Sequence, residues 1–138
     1  MRAFVDTSAL IKKYITEKGS EEFDRLLEEF SEIVIAPIYW IEVNAAIERR
    51  LQDGSLAKEQ GLHIRSEAAK DMLFFRRIIW NEDLEARACK FVIQYHLRTL
   101  DSIQLSAATL SKSDHFICSD KVLTVCAKKE IKNVHWIG

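Results

Sequence analysis

Four acidic residues occupy positions at which a run of apolar residues would be expected to continue. Asp6 and Asp120 each end a short apolar run, and Glu42 interrupts an apolar stretch that begins at Pro37. Asp101 lies between apolar residues near the start of a predicted helix. A single carboxylate at a strand end is ordinary, but four of them, spread over the whole chain, predict one shared acidic pocket.

A pocket of this kind favours a hard divalent cation. Carboxylates within about 4 Å of one another repel by roughly 4 kcal/mol per pair at an effective dielectric constant near 20. A folded protein keeps such a cluster only if protons or cations relieve the repulsion. Because all the ligand atoms are oxygens, we expect Mg²⁺ or Mn²⁺ rather than zinc. Mg²⁺ retains several waters and often bridges to phosphate oxygens, which indicates phosphoryl chemistry.

Each acid also has a structural interpretation. Asp6 and Asp120 are suited to capping the helices that follow them, since an Asp side chain accepts backbone N–H bonds at a helix start. Asp101 is suited to stabilising the dipole of its helix, a contribution of about 0.3–1 kcal/mol. Glu42 is suited to an ion pair with Arg49, two turns later, or with a lysine elsewhere. These alternatives stay open for each residue alone, and only the combination favours the pocket.

Short strands and helices are predicted to alternate along the chain and to position these acids. Apolar and β-branched runs predict strands at 3–5, 33–36, 74–79, 115–119 and 134–137. Amphipathic runs punctuated by glycine and proline predict helices at 7–15, 37–53, 56–72, 81–95, 99–111 and 121–129, with one more beginning at residue 20. The predicted N-caps are Ser20, Asn81 and Thr99.

This alternation predicts an α/β fold, in which a parallel sheet is covered by helices on both faces. In such sheets ligands bind beyond the carboxyl ends of the strands, and Asp6 and Asp120 fall at that edge. The chain has 138 residues and no linker, repeat or low-complexity stretch, so we expect a single domain, 1–138.

Composition narrows the class of protein. The hydrophobic fraction of 48% suffices for a sizeable core, and the charged fraction of 30% is typical of a soluble surface. No apolar run approaches the roughly 20 residues that a membrane span needs. An acid at Asp6 comes too early for a secretory signal, so we expect a mature, soluble protein. The net charge of −1 weakly disfavours nucleic-acid binding, but without the four acids it becomes +3, so charge does not decide the partner.

The cysteines and histidines show no metal-binding pattern. Cys89, Cys118 and Cys126 are odd in number, form no Cys-x-x-Cys pair and have no histidine at zinc-ligand spacing. We expect them to be buried small hydrophobic residues in a reducing cytoplasm. The histidines are scattered and are expected at the surface or at strand edges: His63, His96, His115 and His135.

Several catalytic motifs are absent. The chain has no P-loop, no Gly-x-Gly-x-x-Gly and no Gly-x-Ser-x-Gly elbow, and Ser8 has no evident histidine partner. Ser8 also takes the place of the second acid of an Asp-x-Asp phosphatase motif. A phosphorylated receiver domain is similar in size but needs paired acids after its first strand, and Asp6 has no acidic neighbour.

Four segments that contain the acids resemble the PIN domain, and within it the small VapC-type toxins of prokaryotic toxin–antitoxin pairs. Each segment alone is weakly specific, but their order and the chain length make the resemblance strong, and it covers essentially the whole chain. The segments are Val5–Ile11, Glu42–Ile47, Leu100–Ala108 and Phe116–Leu123. Two departures remove no acid: Cys118-Ser119 stands where the family often has an apolar residue and Thr, and Ser102 stands where Ala is common.

The resemblance implies a three-layer α/β/α sandwich with a central parallel sheet of about five strands. It also implies a Mg²⁺- or Mn²⁺-dependent endoribonuclease of the cytoplasm, with no membrane association. Catalytic and metal-binding residues would be Asp6, Glu42, Asp101 and Asp120. Family members usually form homodimers, and a cognate antitoxin holds them inactive by placing a basic side chain in the acidic groove.

Within this hypothesis, Asp6 and Asp101 are expected to bind one or two metal ions directly, and Glu42 and Asp120 directly or through water. Nearby hydroxyls are expected to fix carboxylate rotamers or waters, namely those of Thr7, Ser8 and Ser119. Candidates for guiding the RNA backbone, each of which has a solvated surface charge as its alternative, are Lys12, Lys13, Lys121 and Arg49.

Two further alternatives stay open. A non-catalytic module with the same fold would bind RNA or a partner protein, although retention of all four acids argues against it. Aromatic residues of the middle of the chain are expected in the core, with a dimer or antitoxin interface as the second interpretation. They are Tyr39, Trp40, Phe74, Phe75 and Trp80.

Overall fold

A five-stranded parallel sheet forms the centre of the protein in the computed structural model, which describes residues 1–138. The strands are β1 (Arg2–Val5), β2 (Glu32–Ile35), β3 (Arg76–Arg77), β4 (His115–Cys118) and β5 (Asn133–Trp136). Their order across the sheet is β3-β2-β1-β4-β5, and every neighbouring pair is parallel.

Seven helices connect these strands and cover the sheet. They are α1 (Thr7–Tyr14), α2 (Ser20–Leu27), α3 (Tyr39–Gln52), α4 (Lys58–Asp71), α5 (Glu82–Tyr95), α6 (Thr99–Leu110) and α7 (Lys121–Ala127). The first four helices contribute to one hydrophobic core and the last three to another. The predicted α/β class and the three-layer sandwich with about five parallel strands are therefore confirmed.

The central strand β1 explains why the sheet has a core on each face. Successive side chains of a strand point to opposite faces. Phe4 belongs to one core, where its ring stacks on Phe116 with centroids 5.8 Å apart, whereas Ala3 and Val5 belong to the other. Ala3, Phe4 and Val5 are all buried because helices cover both faces, as in other parallel sheets.

The carboxyl edge of the sheet gathers the chain segments that carry the acids. Val5 of β1 is in register with Ile117 of β4, and the backbone N–H of Asp6 donates to the carbonyl of Ile117 at 2.9 Å. Asp120 follows β4 at the same edge, and Glu42 lies in the helix that follows β2. Because β2, β1 and β4 are neighbours, three of the four acids leave the sheet side by side.

Strand β3 is much shorter than the predicted strand at 74–79. Only Arg76 and Arg77 pair with β2. The backbone N–H groups of Phe74 and Phe75 both donate to the carbonyl of Asp71, so the chain is still turning at these residues. A turn that continues from α4 therefore occupies residues at which the apolar pattern predicted a strand.

Two of the three predicted N-caps are wrong. Asn81 does cap α5, since its side chain accepts the N–H of Leu84 at 2.9 Å. The cap of α2 is Gly19, whose φ of 92° suits a glycine, and Ser20 is already helical. The cap of α6 is Arg98 rather than Thr99.

The cysteine and aromatic expectations are confirmed only in part. Cys118 and Cys126 are buried, but Cys89 is exposed, and all three are free thiols. Tyr39 is fully buried, and two other aromatic rings, Trp40 and Phe75, pack against the same core. The remaining two were expected in the core and are exposed: Phe74 (83%) and Trp80 (48%).

No helix combines the length and the apolar character that crossing a bilayer would require.

A buried network of hydroxyl groups joins α1, α3 and α4. The hydroxyl of Tyr14 donates to Asp71 at 2.7 Å and lies 2.8 Å from the hydroxyl of Tyr39. Burial raises the pKa of Tyr39 to about 12, so both phenols stay neutral. The network ties the first helix to the two helices that follow β2.

Replacing Tyr14 with phenylalanine should lower the free energy of unfolding by about 1–2 kcal/mol, because the buried hydroxyl of Tyr39 and the carboxylate of Asp71 each lose a partner. Urea unfolding measures the change. Tyr95→Phe is the matched control, since its hydroxyl donates only to Glu130 near the surface, and it should change stability by less than about 0.5 kcal/mol. Equal losses in the two variants would contradict the prediction.

Candidate acidic site

Asp6 lies at the end of β1 and is 5% exposed. Its Oδ2 accepts the N–H of Ser8 at 3.3 Å and the hydroxyl of the same residue, so Asp6 is the N-cap of α1. The thiol of Cys118 lies 3.6 Å from this oxygen. The capping interpretation of Asp6 is therefore confirmed, and it involves one of the two carboxylate oxygens.

Glu42 lies in the first turn of α3 and is half-buried. Its Oε1 accepts the hydroxyl of Thr7 at 3.0 Å and the amide of Gln104 at 2.6 Å. These two residues, rather than the predicted Arg49, are its partners, and Arg49 acts on Glu42 only through its charge. The ion-pair alternative for Glu42 is wrong.

Asp101 and Asp120 lie at the starts of the helices that precede and follow β4 in the chain, α6 and α7. Asp101 lies in the first turn of α6, where its Oδ2 is 3.7 Å from the guanidinium of Arg98. It lines a cavity of about 430 Å³ together with Glu42. Asp120 caps α7 by accepting the N–H of Leu123 on Oδ1 at 2.9 Å.

The four carboxylates share one arrangement. In each, one oxygen receives the hydrogen bonds or the ion pair of the protein. No protein group donates to the other oxygen, which is Oδ1 in Asp6 and Asp101, Oε2 in Glu42 and Oδ2 in Asp120. Each side chain is thus held in place and keeps one oxygen for water or a cation.

The pKa values show that the acids lie within electrostatic reach of one another. Burial, helped by the charges of Glu42 and Asp101 and opposed by the hydrogen bond from Ser8, raises the pKa of Asp6 to about 7. Burial and then the charge of Asp101 raise the pKa of Glu42. Burial and then the charge of Asp120 raise the pKa of Asp101. Asp101 is therefore within electrostatic reach of the other three acids. That all four share one metal-binding pocket stays a prediction.

This donor set fits a hydrated hard cation. All the available atoms are carboxylate oxygens, which suit Mg²⁺ or Mn²⁺ better than a softer metal. No three acidic, cysteine or histidine side chains close around one point. Mg²⁺ keeps several waters and needs only one or two direct carboxylates, so a looser group can hold it through water. Burial is the main cause of the raised pKa of Asp6, and a cation would offset the charges of Glu42 and Asp101 that add to it.

Residues 3–129 match the family model of the PIN domain. The chain belongs to the PIN domain family. A comparison with curated proteins finds no significant match.

Solved structures share the PIN domain fold. A toxin–antitoxin complex from Klebsiella pneumoniae is 22% identical, with a TM-score of 0.66 and coverage of 86% of each chain. VapC20 of Mycobacterium tuberculosis, a toxin that cleaves the sarcin–ricin loop, is 16% identical, with a TM-score of 0.73 and coverage of 94% of this chain and 97% of that one. VapBC2 from Rickettsia felis, bound to a promoter DNA fragment, is 12% identical, with a TM-score of 0.65 and coverage of 99% and 97%.

One residue of this PIN domain site, Gln104, was not singled out by the sequence, and another, Cys118, was noted without a role at the site. Gln104 is 1% exposed and contacts Glu42 and Thr7. Cys118, predicted to be a small hydrophobic residue, also accepts the N–H of Asp120 at 3.2 Å. Burial raises the pKa of its thiol, which stays protonated. The only sequence signal for Gln104 was a long polar residue one turn after Asp101 in a run of small and apolar residues.

Of the three hydroxyl groups that were predicted to hold carboxylates or waters, two contact an acid. Thr7 contacts Glu42 and Ser8 contacts Asp6, as expected. The hydroxyl of Ser119 has no hydrogen-bond partner, and its N–H donates to Ser8 at 3.1 Å. Ser119 is therefore linked to the acids only through Ser8.

The predicted RNA-guiding cations are only partly available. Lys12 is buried, and its ammonium donates to Glu17 at 3.3 Å and to the carbonyl of Lys18 at 2.7 Å, so its predicted role is wrong. Lys13 pairs with an acid of α4. Lys121, whose ammonium lies over an aromatic ring, and Arg49 are exposed and remain candidates.

Proposed function

We propose that this PIN domain is a Mg²⁺- or Mn²⁺-dependent endoribonuclease of the cytoplasm and the toxin of a type II toxin–antitoxin pair. The observation that carries the proposal is a group of four carboxylates, each with one oxygen to which no protein group donates, in which the charge of Asp101 acts on or is acted on by each of the other three. The fold shared with VapC20 and with toxin–antitoxin complexes supports it.

In this proposal the residues of the site have different roles in binding the cation. Asp6 and Asp101 offer their free oxygens as direct ligands, while Glu42 and Asp120 ligate directly or hold waters between cation and substrate. Ser8 keeps the side chain of Asp6 in a fixed rotamer, and Thr7 does the same for Glu42. A divalent cation held by these carboxylates would supply a water of lowered pKa and positive charge to stabilise the departing oxygen.

Exposed apolar side chains support a protein partner. Large apolar residues around β3 and on α5 are exposed: Leu73 (82%), Phe74 (83%), Ile79 (78%), Trp80 (48%) and Ile93 (76%). Trp80 and Ile93 line the same surface cavity, and exposed apolar patches are typical of interaction surfaces. A second copy of the chain and a cognate antitoxin are the partners we assign to it, the latter with a basic side chain that enters the acidic groove.

Incubation of the purified protein with a structured RNA tests the activity. Cleavage is expected with Mg²⁺ or Mn²⁺, and EDTA should abolish it because the proposed mechanism needs a bound cation to lower the pKa of the attacking water. Excess Mn²⁺ should restore cleavage, and internal product ends on a sequencing gel identify an endonuclease. Cleavage that survives EDTA would contradict metal dependence, and RNA binding without cleavage would favour the non-catalytic module.

A further inference from the structure

Gln104 is a long polar side chain in the most deeply buried part of α6. It is 1% exposed, and residues 102–108 around it are all buried. Burying an amide is unfavourable unless hydrogen bonds replace its water. Its Nε2 donates to Oε1 of Glu42 at 2.6 Å and to the hydroxyl of Thr7 at 3.0 Å. Both hydrogens of the amide are thus directed at the acidic site.

The chemistry of the three groups determines which way the amide points. Oε1 of ionised Glu42 only accepts, so Thr7, 3.0 Å away, donates its single hydrogen to it. The hydroxyl oxygen of Thr7 then accepts from Nε2 of Gln104. A flipped amide would place its carbonyl against the carboxylate, which is repulsive. Side chains from α1, α3 and α6 therefore form a closed triangle of hydrogen bonds.

Packing alone does not explain why an amide side chain occupies position 104. Its carbonyl, Oε1, is buried and has no hydrogen-bond partner. Each unpaired buried acceptor is unfavourable for folding, and an apolar side chain of similar volume at position 104 would avoid it. The contribution of Gln104 therefore lies in its contacts with Glu42 and Thr7.

Those contacts decide the orientation of the Glu42 carboxylate. A glutamate has three side-chain torsions and, half-buried on the first turn of α3, would sample several rotamers without partners. Two donors on Oε1 restrict both the rotamer and the plane of the carboxylate. Oε2, to which no protein group donates, is then fixed in position as well, on a residue that lines a cavity together with Asp101.

We infer that Gln104 is a positioning residue that holds the free oxygen of Glu42 toward the divalent cation, an inference that rests on the proposed function. It acts through Glu42 and does not itself contact the substrate. Partners that hold a ligating carboxylate typically change metal affinity by about 10- to 100-fold when they are removed.

Binding of Mn²⁺, followed by the electron paramagnetic resonance signal of the free ion, tests the inference without relying on activity. Gln104→Met keeps the volume and removes the donor, and it should weaken Mn²⁺ binding about 10- to 100-fold. Its free energy of unfolding without metal should not fall, because the unpaired carbonyl is lost as well. Ser106→Ala is the matched control, since this buried hydroxyl on the same helix donates only to the carbonyl of Ser102. It should leave Mn²⁺ affinity unchanged.

The outcomes separate this inference from the function. If wild type binds Mn²⁺ and cleaves RNA, and Gln104→Met binds Mn²⁺ as tightly, the positioning role is overturned and the nuclease stands. If wild type neither binds Mn²⁺ nor cleaves, the proposed function fails and the inference with it. Should Gln104→Met not fold, Thr7→Val removes the other donor to the same oxygen. Weaker Mn²⁺ binding by Thr7→Val than by wild type then supports the inference, and unchanged binding overturns it.

Discussion

Replacing Asp101 with asparagine is expected to reduce RNA cleavage about a thousandfold, because a cation at the site supplies several kcal/mol of transition-state stabilisation and about 4 kcal/mol corresponds to that factor. The same variant should be at least as stable as wild type without metal. Burial and the charge of Asp120 raise the pKa of Asp101, so its ionised form is disfavoured in the folded protein. A neutral amide removes this repulsion.

The favourable contacts of Asp101 are too weak to reverse that expectation. Arg98 lies 3.7 Å away, but its side chain is 87% exposed, so the ion pair is screened by solvent. The interaction with the dipole of α6 contributes about 0.3–1 kcal/mol. Retained metal-free stability together with lost cleavage is therefore the signature of a site residue.

Asp83→Asn is the matched control for this variant. Asp83 also lies in the first turn of a helix, α5, and is exposed. It should lose about 0.3–1 kcal/mol of stability and keep full cleavage. Urea unfolding and the RNA assay measure the two properties, and growth arrest on expression, relieved by Asp101→Asn, reports the toxin role. Clear destabilisation of Asp101→Asn with retained cleavage would favour the helix-dipole interpretation.

The metal-free protein is expected to lose up to about 4 kcal/mol of stability as the pH rises from about 4 to about 7, since each unit of pKa shift corresponds to about 1.4 kcal/mol. The cause is Asp6, whose pKa burial raises from 3.8 to about 7. In this window the folded state keeps a proton that the unfolded state has released. The stabilising contribution of protonated Asp6 is therefore fully present below its pKa in the unfolded state, and it is lost as the pH rises through its pKa in the folded state.

Asp6→Asn should remove most of this pH dependence and stabilise the metal-free protein at pH 8. Mn²⁺ should stabilise wild type more at pH 8 than at pH 5, because the cation binds the ionised carboxylates. Urea unfolding across the pH range, with and without Mn²⁺, measures both effects. Asp24→Asn, which removes an exposed carboxyl of α2, should keep the wild-type slope. An unchanged slope in Asp6→Asn would show that Asp6 is not the titrating group.

Several residues of the site and one helix cap could be predicted from short segments of the sequence. Asp6 and Asp120 come directly after apolar runs, and the end of a parallel strand places both at one edge of the sheet. Asn81 was recognised as an N-cap because its signal lies within a few residues. Gly19 was missed, since its role depends on a backbone φ of 92° that its neighbours do not determine.

The sequence by itself determined the fold class and the family, and it predicts the four acids as the site, because strand ends, helix faces and motif order are properties of short segments. Only the tertiary structure decided which oxygen of each acid is free, and that Gln104 rather than Arg49 holds Glu42. It also decided that Lys12 is buried against Glu17. Gln104 and Glu42 are 62 positions apart in the chain. Hydrogen bonds over such separations depend on how α3 and α6, which contribute to different cores, come together around the sheet, and no local pattern specifies this.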